Sequence, residues 1–124
     1  MPDAASLDGR RVLLVEDEYI IAMEVKRWLQ RAGAIVIGPV PNVERALTLI
    51  EGECLDAAVL DFNLGDKATA VPIADKLNSL RVPYLFATGD VQVSSGSDAQ
   101  APCLIKPLVE AELVGAVAKL IAPA

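Results

Sequence analysis

Four places in the chain set a side chain capable of chemistry at the end of a short apolar run. Glu16 and Asp17 follow Arg11–Val15, Asp61 closes the run that begins at Asp56, Thr88 follows Pro83–Ala87, and Lys106 follows Cys103–Ile105. Three carboxylates brought together repel one another. At about 4 Å and an effective dielectric of about 20, each like-charged pair costs about 4 kcal/mol. A hard divalent cation relieves that repulsion, and Mg2+ in particular binds one or two carboxylates while leaving positions open for water or a phosphate oxygen. Lys106 would add a fixed positive charge, and the Thr88 hydroxyl can donate to an incoming anion. Three acids, one ammonium and one hydroxyl describe a site for a phosphoryl group moving onto a carboxylate. Asp61 is the nucleophile in that reading, and catalysis comes from position and charge neutralisation.

These residues matter only if the elements between them bring them together. Arg11–Val15 is almost wholly apolar without alternation, as in a strand covered on both faces. From Tyr19 the period changes, and Ile21, Val25, Trp28, Leu29 and Ala32 form one helical stripe that Gly33 ends. A second strand is expected over Ala34–Gly38, closed by Pro39, and a helix through about Glu51 with Asn42 as its N-cap. A third strand over Asp56–Phe62 precedes the loop Asn63-Leu64-Gly65-Asp66 and a helix over Val71–Leu80 with Pro72 in its first turn. A fourth strand runs over Pro83–Ala87, a fifth over Cys103–Ile105, and a last helix over Glu110–Ile121. Val91–Gln100 is rich in serine and favours only a short or frayed helix.

Five β-α units in a row imply an α/β fold, a doubly wound five-stranded parallel sheet with helices on both faces. In the flavodoxin-like order 2-1-3-4-5 the first and third strands are neighbours, which puts Asp17 near Asp61 at the C-terminal crevice. The second strand, ending Gly38-Pro39, brings no reactive side chain there. One domain over residues 10–124 is expected, with residues 1–9 as a flexible lead-in.

Composition narrows the function classes. The chain has no histidine, which removes the commonest general base and zinc ligand. A net charge of −6 disfavours direct binding to nucleic acid. Cys54 and Cys103 match no metal or redox spacing. No apolar run approaches the roughly 20 residues needed to span a bilayer, and Met1–Ala5 lacks the features of a signal peptide. A cytoplasmic protein without a membrane partner is expected. With five aromatic residues, the core must be mainly aliphatic.

The set Glu16-Asp17, Asp61, Thr88 and Lys106-Pro107, each ending a strand in this order, resembles the response-regulator receiver family. The resemblance covers roughly Arg11–Ile121. It implies that Asp61 is phosphorylated by a sensor histidine kinase or a phosphotransfer protein. It also implies that Glu16, Asp17, Asp61 and the backbone carbonyl of Asn63 hold Mg2+, with Mn2+ or Ca2+ as substitutes. Thr88 and Lys106 would bind the phosphoryl oxygens, and the peptide bond before Pro107 would be cis. Such a domain is not an enzyme acting on external substrates. It accepts its own phosphoryl group and later loses it.

Phe86-Ala87-Thr88-Gly89 is further similar to the FAT-GUY receivers, a subgroup common in alphaproteobacteria and often served by kinases of the HWE type. Asn63-Leu64-Gly65 resembles the subgroup's loop. Cys103 occupies the place where ordinary receivers carry the switch aromatic, and Val91 departs from the subgroup's tyrosine. Ordering of Val91–Gln100 is therefore expected to replace rotation of an aromatic as the consequence of phosphorylation. Asp90, two positions past Thr88, is a candidate for tuning the lifetime of the phosphorylated state.

Blander readings apply to several of these residues. A lone Asp after a strand is as readily a solvated strand end, so Asp61 gains weight only from the register of all four ends. Glu18 reads as an acid complementing the dipole of the following helix. Trp28 reads as core, and Cys103 as a small buried apolar residue.

Among other functions, a phosphatase of the haloacid-dehalogenase type needs a second Asp where Asn63 stands. A pseudo-receiver would not need all five site residues. A flavin carrier would meet Glu16-Asp17-Glu18 where its phosphate should lie. With no output domain in view, signalling by protein contact, or service as a phosphate sink or shuttle, is expected.

Overall fold

The computed structural model of the chain describes residues 7–65, 68–89 and 102–122. Strands β1 (Arg11–Val15), β2 (Ile35–Val40), β3 (Ala57–Asp61), β4 (Tyr84–Thr88) and β5 (Cys103–Ile105) alternate with helices α1 (Tyr19–Arg31), α2 (Val43–Gly52) and α3 (Val71–Ser79). Helix α4 (Glu110–Ile121) follows β5. The strands form one parallel sheet in the order β2-β1-β3-β4-β5, the doubly wound arrangement expected from the sequence.

Strand β3 is buried at every position, which explains why Ala57–Asp61 carries no polar alternation. Period-2 pleating sends its side chains to two cores. Leu13, Val15, Ala58 and Leu60 pack with Ala46 and Ile50 of α2 and with Ile73 and Leu77 of α3. On the opposite face, Val12, Leu14, Val59 and Leu85 pack with Val25 and Leu29 of α1 and with Leu113 and Val117 of α4. Trp28 is half-buried against this second core. The first core also holds the aromatic row Tyr84, Phe86 and Phe62, whose rings meet edge-on at 5.5 and 5.2 Å.

Helix starts follow local chemistry. The Asn42 side chain accepts a hydrogen bond from the Arg45 amide at 2.9 Å and caps α2. Pro72 lies at the start of α3, where a missing amide costs nothing.

The structure corrects the expected end of the second strand. β2 does not stop at Gly38 but runs through Pro39 to Val40. It is an edge strand, where a proline removes no ladder hydrogen bond. Gly38 makes this passage possible. It sits at φ 108°, and a Cβ there would stand 2.8 Å from the Leu14 carbonyl oxygen. The pairing shifts accordingly, from Leu13 opposite Ile37 to Val15 opposite Val40.

Of the expected lead-in, the described residues 7–9 are fixed to the domain. Leu7 is fully buried in the second core, and its amide donates to the Ala32 carbonyl at 2.8 Å. The expected fourth helix over Val91–Gln100, and with it Asp90 and Val91, lies outside the described residues.

Candidate functional site

The pairing registers bring the four strand ends level. Val15 stands opposite Leu60, so Glu16 comes beside Asp61. Asp61 stands opposite Ala87, and Thr88 opposite Ile105. Beyond the strand ends, the Phe62 amide donates to Ala87 at 2.9 Å and the Lys106 amide donates to the Thr88 carbonyl at 2.8 Å. Glu16, Asp61 and Lys106 each fall two residues after a member of the second core: Leu14, Val59 and Leu104. The same pleat that buries those apolar residues thus turns the three polar side chains to one side of the sheet.

The result is one ammonium among acids. Lys106 Nζ lies 3.2 Å from Glu16 Oε1 and 3.2 Å from Asp61 Oδ1. Carboxylate oxygens of Glu16, Asp17 and Asp61 lie within 4.8 Å of one another. Glu16 and Asp61 are buried and Asp17 is exposed, so the cluster opens to solvent on the Asp17 side. Thr88 is buried at the end of β4. Gly65, at φ 84°, carries the loop after β3 so close to Asp17 that a Cβ would lie 3.4 Å from its Oδ2.

Asn63 is held by an antiparallel bridge to Thr69. The bonds of that bridge run from the Leu64 amide to Ala68 and from the Ala70 amide to Phe62. Neither uses the Asn63 carbonyl. The Lys106–Pro107 peptide bond is cis, and Pro107 is exposed.

Electrostatics follow from three acids facing one base. Burial is the largest cause that lifts the Asp61 carboxyl, to about 8, and hydrogen bonding with Glu16 and Asp17 adds to it. Lys106 lowers the value, but not enough to restore an ordinary carboxylate. For Lys106 itself, burial works against the charged form, yet the charges of Asp61 and Glu16 outweigh it and the ammonium titrates higher than usual. The ammonium is therefore a permanent charge. Three hard oxygen donors, with excess negative charge beyond what one lysine neutralises, match the donor set of a hard divalent cation.

Two contributors escaped the reading of the sequence. The second strand, which brings no reactive side chain, supplies the Val40 carbonyl that accepts the Glu16 amide at 3.0 Å and fixes the acidic turn. Glu18 lies just before the first turn of α1 rather than within it. It occupies the N-cap position without a side-chain cap bond, and its Oε1 lies 3.6 Å from Lys106 Nζ. Helical periodicity carries no sign of a partner so distant in sequence. Cys103 is half-buried against the first core, opposite Phe86 in the register, and burial raises its thiol pKa.

A parallel sheet in the order 2-1-3-4-5 with this acid–lysine cluster at its C-terminal edge defines the class: the chain belongs to the response-regulator receiver family. No family model matches it. Its fold is similar to that of SdrG from Sphingomonas melonis Fr1, with 33% identity, a TM-score of 0.80, and coverage of 98% of this chain and 100% of that one. A response regulator receiver protein from Sinorhizobium medicae WSM419 shares the fold at 23% identity and a TM-score of 0.81, covering 94% and 97% of the two chains. The response regulator PhyR from Brucella abortus shares it at 21% identity and a TM-score of 0.84, over 95% of this chain and 50% of that one. In sequence, the transcriptional regulatory protein PdtaR of Mycobacterium tuberculosis is 28% identical over 120 residues, which are 93% of this chain. The match spans 58% of the length of that curated relative. Among the described residues, no helix is long and apolar enough to cross a membrane.

Proposed function

We propose that this receiver accepts a phosphoryl group on Asp61 from a sensor histidine kinase or a phosphotransfer protein, with Mg2+ as cofactor. The observation that carries the reading is the position of Lys106 Nζ, 3.2 Å from both Asp61 and Glu16 at the edge of a three-acid cluster. An Asp61 oxygen attacks phosphorus, an O–P bond forms, and the N–P bond to the donor histidine breaks with its electron pair returning to the ring. Lys106 and Thr88 bind the non-bridging phosphoryl oxygens. Glu16, Asp17, Asp61 and the Asn63 carbonyl hold the cation. When bound, it neutralises the acids and polarises the phosphoryl group.

Hydrolysis of external substrates is disfavoured because Asn63 stands where a second acid would be needed. The domain is of the FAT-GUY kind on this reading, on the strength of Phe86-Ala87-Thr88-Gly89 and Cys103, and where the donor is a kinase it is of the HWE type. The phosphorylated domain acts in the cytoplasm, by contact with another protein or as a phosphate sink or shuttle. The test is incubation with Mg2+ and acetyl phosphate, followed by intact mass of the wild type and of Asp61→Asn. A base-labile, acid-stable adduct on the wild type alone is the expected result. Its absence overturns the reading.

A further inference from the structure

We propose that Glu18 is a positioning residue that holds the Lys106 ammonium at the mouth of the site and must release it to an incoming phosphoryl oxygen. The inference rests on the proposed phosphorylation of Asp61 and concerns its regulation by a side chain outside the acid pair.

Lys106 Nζ is shared among three carboxylates, at 3.2 Å from Glu16, 3.2 Å from Asp61 and 3.6 Å from Glu18. The Glu16 and Asp61 side chains are almost wholly buried, at 4% and 5% exposure, whereas Glu18 is 62% exposed. Glu18 thus makes the longest and wettest of the three contacts. Among the described residues, Lys106 is its one charged partner. Glu18 stands at the N-cap of α1 without capping it, and the first turn contains no acid. Its backbone amide donates to Glu16 Oε2 at 3.1 Å, which ties the backbone of Glu18 to the cluster while its carboxylate reaches the same lysine. A phosphoryl dianion drawn to Lys106 meets an ammonium whose charge Glu18 already shares at 3.6 Å, so the two anions compete for it. An exposed ion pair of this kind shifts an equilibrium by about two- to five-fold.

The test follows phosphorylation of the full chain by acetyl phosphate with Mg2+, with rate measured against donor concentration. Glu18→Gln is expected to lower the half-saturating donor concentration about two- to five-fold, with a maximal rate within about twofold of wild type. The difference should shrink at high salt, where the Debye length falls to about 3 Å. Glu18→Asp, which keeps the charge, should stay near wild type. A role confined to the stability of α1 would move neither the donor dependence nor its salt sensitivity. The same substitution in Lys106→Met, compared through the rate at subsaturating donor, should change nothing. The inference is overturned if Glu18→Gln leaves donor dependence unaltered at low salt. It is equally overturned if the drop persists without Lys106, since Glu18 would then act as a plain surface charge. If no phosphate reaches Asp61 in the wild type at all, the underlying reading fails first and takes this one with it.

Discussion

Lys106 Nζ and Asp61 Oδ1 lie 3.2 Å apart, joined across two intervening strand contacts although 45 residues separate them in sequence. The lysine is mostly buried, and the acid it faces is more buried still. A pair in that setting does not act as a surface salt bridge. It fixes the direction from which positive charge reaches whatever binds to Asp61.

Removing that charge should therefore slow phosphorylation more than it harms folding. Lys106→Met is expected to reduce the rate with acetyl phosphate and Mg2+ by on the order of 10²-fold, the usual effect of losing one preorganised electrostatic donor. Intact mass against time measures it. A loss of less than about threefold would assign Lys106 a structural role only.

Without a divalent cation, stability should fall as pH rises. Asp61 holds its proton to about pH 8 in the native state, against about 3.8 in an unfolded chain. Between those values the native state binds the extra proton, so the slope of unfolding free energy with pH is negative. The stabilisation is complete below about pH 4 and is lost as pH passes through about 8. Asp61→Asn removes the titration and should be more stable than wild type at pH 8.5 by about 1–3 kcal/mol. Urea unfolding across pH, in the presence of a chelator, measures both.

Mg2+ should reverse that penalty. At a hundredfold excess over its dissociation constant, a ligand bound by the native state alone adds about 2.7 kcal/mol. The gain should grow with pH up to about 8, because the ion needs Asp61 ionised and displaces its proton. Asp17→Asn and Asp61→Asn should each abolish most of the thermal shift. An equal shift in both variants would place the ion elsewhere.

Two substitutions outside the site separate folding from chemistry. Asn42→Ala breaks the cap bond to the Arg45 amide and should cost about 1 kcal/mol. Leu60→Ala hollows the first core one residue before Asp61 and should cost about 2–5 kcal/mol. Denaturant midpoints check both. The capping variant should keep the wild-type phosphorylation rate, since Asn42 touches none of Glu16, Asp17, Asp61 or Lys106 through its cap bond.

By itself the sequence determined the alternation of elements and the residues that stand at their ends. Unbroken apolar runs mark strands covered on both faces, the stripe from Ile21 to Ala32 marks a helix, and Asn42 and Pro72 mark helix starts. These are local signals, encoded within one or two turns of chain, and they carried both the α/β class and the choice of Glu16, Asp17, Asp61, Thr88 and Lys106. Only the tertiary structure decided what depends on strand neighbours and register. β2 continues through Pro39 because it lies at the sheet edge, a position that no local signal announces. Leu7 belongs to the core because α1 ends beside it. Glu18, at the start of α1, also meets Lys106, because a strand 85 residues later brings an ammonium within 3.6 Å. Which acid meets which base is set by chain segments far apart in sequence, and the energy of each pair depends on a through-space separation that strand order and register fix, not on local spacing.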